Sequence, residues 1–364
     1  MTRNDKNADK GLERAARLWG DRSAQLGDED IAKGYFWNDK AVIRRHHNRK
    51  ISGRDHVDWI DYVAERCLTQ RPLERCLSLG CGGGKLERWL VARGVARSVD
   101  AYDVSPRSIQ VARELAQQNG YSTIHYAVAD VNTVALPSSR YDAVWVYHAM
   151  HHFRDLEAIC ERVASSLKPG GVLVLNDYIG PRRFQFAQRQ VDVINSCLGL
   201  LPERYRRIVP AVGNGSPAGC GVRAPWVERV WNRARQGELF KAAWDRLMRR
   251  RTGIDEALLR REFRPPTVRQ VLDVDPTEAI RSDDIVAVVR QHFEIVERQD
   301  YGGCVLQFLL QDILQNFPDG DAEAEACLRM VITIEDTLVS LGELTSDFAV
   351  IVARPFDTTA HIPT

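Results

Sequence analysis

Apolar residues along this chain change period repeatedly, and each change marks an element. Cys76-Leu77-Ser78-Leu79 is a short apolar run that breaks into Gly80, Gly82, Gly83 and Gly84, after which Leu86, Trp89 and Leu90 keep helical spacing until Gly94. That predicts a strand, a tight turn and a helix. Ser98 to Val104 reads as a second strand, with Ser105 as N-cap and Pro106 as first residue of a helix whose Ile109, Ala112 and Ala116 share one face until Gly120. Ile124 to Ala129 is a third strand, ending at Asp130-Val131. Tyr141 to Tyr147 is a nearly continuous apolar run, of the kind buried on both faces of a parallel sheet, and it delivers His148-Ala149-Met150-His151-His152-Phe153 at its carboxyl end. Leu156, Ile159, Val163 and Leu167 form the next helical face, and Lys168-Pro169-Gly170-Gly171 turns the chain into the strand Val172 to Asp177.

On either side the pattern is less regular. Residues 1–70 read as helical and precede the first strand, which makes them an appendage to the sheet. Tyr35-Phe36-Trp37-Asn38 followed by the basic run Arg44 to Lys50 suits a lid over a cofactor, or equally a packed aromatic edge with a solvated basic face. Beyond Asp177 the alternation stops for too long to be a simple connection, so an inserted or capping region is expected. Residues 181–264 hold 18 Lys+Arg against 8 Asp+Glu, leaving 32 against 41 elsewhere. Trp226, Val230, Ala234, Phe240, Trp244 and Leu247 recur there near helical spacing, and Pro210 to Gly219 is a loop by composition. A helix at Ser282 to Gln291 leads into a sixth strand, His292 to Glu297; apolar helices follow around Val305 to Phe317 and Ala322 to Leu344, before a last strand at Asp347 to Arg354. The expected units are a helical lid (1–70), a cofactor-binding core (71–180), a basic helical insertion or substrate cap (181–275), and a C-terminal return to the sheet (276–364) with a helical excursion over 301–345.

Composition narrows this only slightly. With 364 residues, 44% of them hydrophobic, the chain supports a large core, and a net charge of +1 argues against bulk attraction to nucleic acid or membrane. Eight scattered cysteines form no C-x-x-C pair, which points to reduced thiols in a cytoplasmic protein; no apolar stretch suggests a leader or a membrane span.

The glycine turn carries the chemistry. Glycine accepts φ > 0 and lets backbone approach a ligand closely, so a nucleotide-like cofactor is the first expectation. A P-loop is excluded twice, because Leu79 stands five before Gly84 and Leu86 follows Lys85. The dinucleotide pattern meets Lys85 where its third glycine should be. What remains is G-x-G-x-G at Gly80, Gly82 and Gly84. Asp103 ends the second strand 19 residues beyond Gly84, where an acidic side chain accepts hydrogen bonds from both ribose hydroxyls.

From LSLGCGGGKLE through DAYDVSPRSIQVAR and ADV to HAMHH and LKPGGVLVLND, residues 76–180 resemble the class I S-adenosylmethionine-dependent methyltransferases motif for motif. Within that class the His-His pair, Asp177 and the N-terminal extension are most similar to bacterial small-molecule methyltransferases acting on sugars and glycosylated natural products. The resemblance implies a Rossmann-like, seven-stranded, doubly wound α/β sheet whose last strand is antiparallel, with an N-terminal helical lid and large helical insertions. It implies S-adenosyl-L-methionine as cofactor, held by Gly80, Gly82, Gly84, Asp103, Val104, Asp130 (the adenine reader), Val131 and His148. Ser78 departs from the pattern: the family more often has an acid two before the first glycine, so the hold on the methionine amino group is weakened and the N-terminal segment would share the task.

Methyl transfer to a neutral hydroxyl gains from a base, and histidine titrates in the useful range. His151 is the first choice, His152 the second, and Asp177 would orient one of them; a reaction run by proximity alone is the competing reading. The expected activity is O-methylation of a small, glycosylated or anionic metabolite, with N- or C-methylation as a close variant. A nucleic-acid methyltransferase is less favoured because the fourth strand ends in Tyr147-His148-Ala149-Met150, not in a base-amino motif of the N-P-P-Y type. A nicotinamide dehydrogenase is disfavoured by Lys85, and a non-catalytic binding module is kept open by Ser78. No metal and no membrane partner is expected. The oligomeric state stays open, a homodimer being one option.

Overall fold

The computed structural model describes residues 3–25, 36–209 and 259–356. In chain order the main elements are α1 (Arg3–Gln25), α2 (Ala41–Ser52), α3 (Trp59–Arg66), β1 (Cys76–Leu79), α4 (Lys85–Ala92), β2 (Val99–Asp103), α5 (Pro106–Gln118), β3 (Ile124–Val128) and β4 (Tyr141–Tyr147). Then come α6 (Leu156–Ser166), β5 (Leu167–Tyr178), α7 (Gln188–Leu200), α8 (Val268–Val274), α9 (Ile285–His292), β6 (Phe293–Gly302), α10 (Leu306–Leu310), α11 (Ala322–Ser340) and β7 (Phe348–Pro355). The loop Pro210 to Gly219 and the aromatic stripe from Trp226 to Leu247 lie outside the described residues.

Seven strands form one sheet in the order β3-β2-β1-β4-β5-β7-β6. The first five pair in parallel, and β7 runs antiparallel to both β5 and β6. This is the expected Rossmann-like, doubly wound arrangement. Its cause is visible in burial: β1 is buried throughout and Trp145 in β4 is fully buried, whereas β3, with a neighbour on one side only, exposes His125 and Val128. Strand order reverses between β1 and β4, and the crevice outside their carboxyl ends is where open α/β sheets take ligands. One segment differs from expectation. Lys168-Pro169-Gly170-Gly171 does not precede β5 but lies inside it, as an irregularity in which the two-residue step of β4 from Tyr141 to Ala143 faces the five-residue step from Leu167 to Val172. Gly170 takes φ +78° there.

Apolar side chains pack on both faces of the sheet. On one, Leu77, Val144, Val146 and Leu175 meet Leu156 and Val163 of α6 and Val288 of α9. On the other, the core under α2, α3 and α5 continues into Ile194 and Leu198 of α7, Phe308 of α10 and Val331 of α11. The described ends of the 181–275 segment and the 301–345 excursion therefore share one core. The carbonyls of Phe308 and Leu309 each accept from the buried Arg260 guanidinium at 2.7 Å, fixing α10 against the chain that returns from the insertion. A buried arginine used this way is structural, since its charge must be met by carbonyl dipoles.

The charge runs resolve into pairs. In α2, Arg49 holds Asp55 through two bonds of 2.8 and 2.7 Å, Lys50 lies 3.2 Å from Asp336, and Arg45 faces Glu325. His46 and His47 are buried, and burial drives the His47 pKa down to about 3, so it packs as a neutral ring between Trp37 and Tyr301. Among the described arginines of the insertion, Arg182 binds Asp283 and Asp284, Arg204 binds Glu323, and Arg183 donates to the Glu278 carbonyl. No described helix is long and apolar enough to cross a membrane.

Candidate active site

At the carboxyl edge of the sheet lies a cavity of about 330 Å³. Three stretches build one side of it. The glycine turn joins β1 to α4, with Gly80 at φ +72°, Gly82 at φ +50° and Gly84 at φ +78°, all left-handed. Gly80, Gly82, Asp103, Val104, Asp130 and Val131 line the cavity. Gly84 does not: it is the N-cap of α4, and its α-carbon packs against Tyr126, whose hydroxyl donates to the Gly84 carbonyl at 3.1 Å. Asp103 is tied to the turn itself, accepting from the Gly82 amide at 2.9 Å and the Ser105 amide at 2.8 Å. Its burial raises its pKa, opposed by those two amides. Asp130 accepts through Oδ1 from the Asn132 amide at 2.9 Å.

The opposite side carries the histidines. His148 follows β4 at φ +50°, an uncommon conformation for a residue with a Cβ, and its ring lies against Tyr147 and Phe348. Burial lowers its pKa to about 4, so it is neutral. The short turn Met150–His152 then places His151 Nδ1 2.5 Å from Asp177 Oδ1. Asp177 does not line the cavity. It stands behind His151 at the end of β5, accepting from the amides of Ala149 (2.9 Å), Met150 (2.6 Å) and Tyr178 (2.7 Å). Although burial disfavours its charge, His151 outweighs that and holds the Asp177 carboxyl below its ordinary range.

Sequence reasoning missed the other wall. His151 Nε2 lies 3.5 Å from Glu278, and His152 Nδ1 lies 3.1 Å from the Thr277 hydroxyl and 3.7 Å from Asp275. Asp275 in turn accepts from the Trp19 indole of α1 at 2.9 Å. Burial alone would lower the His151 pKa, but Asp177 and then Glu278 raise it to about 10; burial and the neighbouring His151 charge lower that of His152. The two adjacent rings thus differ in charge preference, His151 favouring the imidazolium and His152 the neutral ring. His151, His152 and Glu278 also lie close enough to share a metal ion, each offering an atom within 4.8 Å of the others.

The helical appendage does cover the cavity. Leu12, Ala15, Trp19 and Arg22 of α1, with Phe36 to Asp39 ahead of α2, line it. Ser23 meets Ser108 of α5 at 2.9 Å, hydroxyl to hydroxyl, and so pins α1 over the turn.

Residues 77–175 match the family described as "Methyltransferase domain". This segment is similar to that domain family. Its span runs from β1 through β5 and so contains the glycine turn, Asp103, Asp130 and the histidine turn. Among curated relatives, the chain is 37% identical over 119 residues to the ubiquinone biosynthesis O-methyltransferase of Xanthomonas campestris, covering 32% of this chain and 47% of that one. It is 26% identical over 155 residues to the 2-methyl-6-phytyl-1,4-hydroquinone methyltransferase of Synechocystis, covering 41% and 48%. To the 27-O-demethylrifamycin SV methyltransferase of Amycolatopsis mediterranei it is 26% identical over 157 residues, covering 43% and 53%. The chain spans about half the length of these curated relatives. The domain's class I fold follows from the strand order and the antiparallel β7.

Proposed function

We propose that the protein transfers a methyl group from S-adenosylmethionine to a hydroxyl of a small molecule, with His151 as the base. The observation that carries this is the His151–Asp177 pair, set at the edge of the same cavity that the glycine turn and Asp103 line. Two features support the cofactor. A Cβ at Gly82 would meet nothing within 4 Å, so the turn keeps open space for a ligand, and buried charged groups without partners face the same cavity. Gly80, Gly82, Asp103 and Asp130 would hold the nucleoside, Asp103 through the ribose and Asp130 through the adenine. When bound, the sulfonium supplies an activated methyl group for in-line displacement.

The protein's own tasks are alignment and proton removal. Aromatic walls from Trp19, Phe36, Tyr178 and Phe184 suit an apolar or aromatic acceptor and can align it. Asp177 fixes His151 with Nδ1 protonated, directing Nε2 toward the acceptor's hydroxyl. As the acceptor's oxygen takes the methyl group, its proton would pass to His151 Nε2. Two of the three relatives carry O-methylation in their names, which favours a hydroxyl over nitrogen or carbon.

The pH dependence tests the assignment. His151 works only when deprotonated, and two carboxylates hold its pKa at about 10. The kcat/KM for a hydroxyl acceptor should therefore rise with pH toward that value. Glu278→Gln removes one carboxylate that favours the imidazolium, so the rising limb should move to lower pH. If His152 were the base, its lowered pKa would leave the profile flat from neutral pH upward.

A further inference from the structure

Two buried charged side chains of opposite sign on the cavity keep polar atoms without a hydrogen-bond partner. Glu87, in the first turn of α4, is 0% exposed, and neither carboxylate oxygen has a hydrogen-bond partner. Burial raises its pKa to about 7, with Ser78 opposing, so the site strains against holding it ionised. Arg88, which also donates to the Gly83 carbonyl at 2.8 Å, offsets this only in part, and Asp103 adds a charge of the same sign. Arg22, near the end of α1, is 7% exposed, and its Nε and Nη1 have no partner. Its guanidinium lies 4.8 Å over the Trp19 ring, and burial lowers its pKa against the pull of Glu278 and Asp275. Leaving either group buried and unpaired costs several kcal/mol in general, a cost that a bound counter-charge removes.

A cavity with one orphaned anion and one orphaned cation fits a ligand end that carries both charges, and an α-amino acid is the smallest such group. We propose that Glu87 binds the α-ammonium, and Arg22 the α-carboxylate, of the amino-acid end of the cofactor. This rests on the cofactor reading above. It also accounts for Ser78: the acid absent from β1 is supplied one turn into α4, beside the Ser78 hydroxyl, and the N-terminal helix supplies the cation.

The test is calorimetric titration of the full chain with two ligands, S-adenosylhomocysteine and 5′-deoxy-5′-methylthioadenosine. The second keeps the nucleoside and thioether but lacks the amino-acid end. Glu87→Gln and Arg22→Met should each weaken S-adenosylhomocysteine by about 30-fold or more. Neither should change the affinity for methylthioadenosine by more than about twofold. Ser78→Asp added to Glu87→Gln should recover much of the loss. Because Glu87→Gln removes an unpaired buried charge, its melting temperature without ligand should hold or rise, which a merely structural carboxylate would not allow. Equal losses for both ligands, or undiminished binding of S-adenosylhomocysteine, would overturn the assignment. Failure of wild type to bind either ligand would overturn the cofactor reading itself.

Discussion

Asp177→Asn should lower kcat for methyl transfer by about 10³-fold or more while leaving cofactor affinity within a few-fold. The reason lies in what the carboxylate accepts. Oδ2 takes the amides of Ala149 and Met150, and Oδ1 takes the amide of Tyr178 as well as His151 Nδ1. An asparagine can keep its oxygen on one of these sets only. If the oxygen stays on Ala149 and Met150, the NH₂ group turns toward His151 and Tyr178. His151 Nδ1 must then accept, its proton moves to Nε2, and the nitrogen facing the acceptor can no longer take one. The Tyr178 amide also loses its partner, so a stability loss of about 3 kcal/mol is expected beside the kinetic one. Single-turnover rates at saturating cofactor separate the two effects. A variant with full stability and unchanged rate would remove His151 from the mechanism.

Gly84→Ala should be the more damaging of two glycine substitutions in the same turn. At Gly84, φ is +78°, and a Cβ would stand 2.4 Å from the Tyr126 hydroxyl and 2.8 Å from the Ala112 Cβ, so β3 and α5 would both have to move. Left-handed strain and overpacking together amount to about 3 kcal/mol or more, readable as a lower urea midpoint without ligand. Gly82 has the same handedness, φ +50°, but open space beside it. Gly82→Ala should cost only about 1 kcal/mol of stability. Its methyl group would instead occupy ligand space, so the loss should fall on cofactor affinity. Equal destabilisation by the two would contradict the roles assigned to them.

Much of this site was legible before any coordinates. His151 and Asp177 leave adjacent strands whose register sets Tyr147 beside Asn176, so two apolar runs of the right length suffice to bring the next residues together. Asp103 was legible because it ends β2 next to the glycine turn, and strand ends in a parallel sheet share one edge. Glu278 and Asp275 were not, because they arrive from the far end of an irregular insertion with no period to fix where it docks. Glu87 is a polar residue in the first turn of an amphipathic helix, and only packing shows that it is buried. The basic run of α2 looked free for the opposite reason, since its partners Glu325 and Asp336 belong to a helix nearly three hundred residues later. Inside β5, proline and two glycines signalled a turn, but ladder pairing on both sides carries the strand through them.

The central claim is the cofactor, and calorimetry of wild type and Asp103→Ala with S-adenosylmethionine, S-adenosylhomocysteine and NAD tests it most directly. Asp103 lines the cavity and also orders the turn through the Gly82 amide, so its loss should abolish binding of both sulfur ligands, with NAD silent throughout. Binding of NAD by wild type in their place, or sulfur ligands held equally well by Asp103→Ala, would contradict the account.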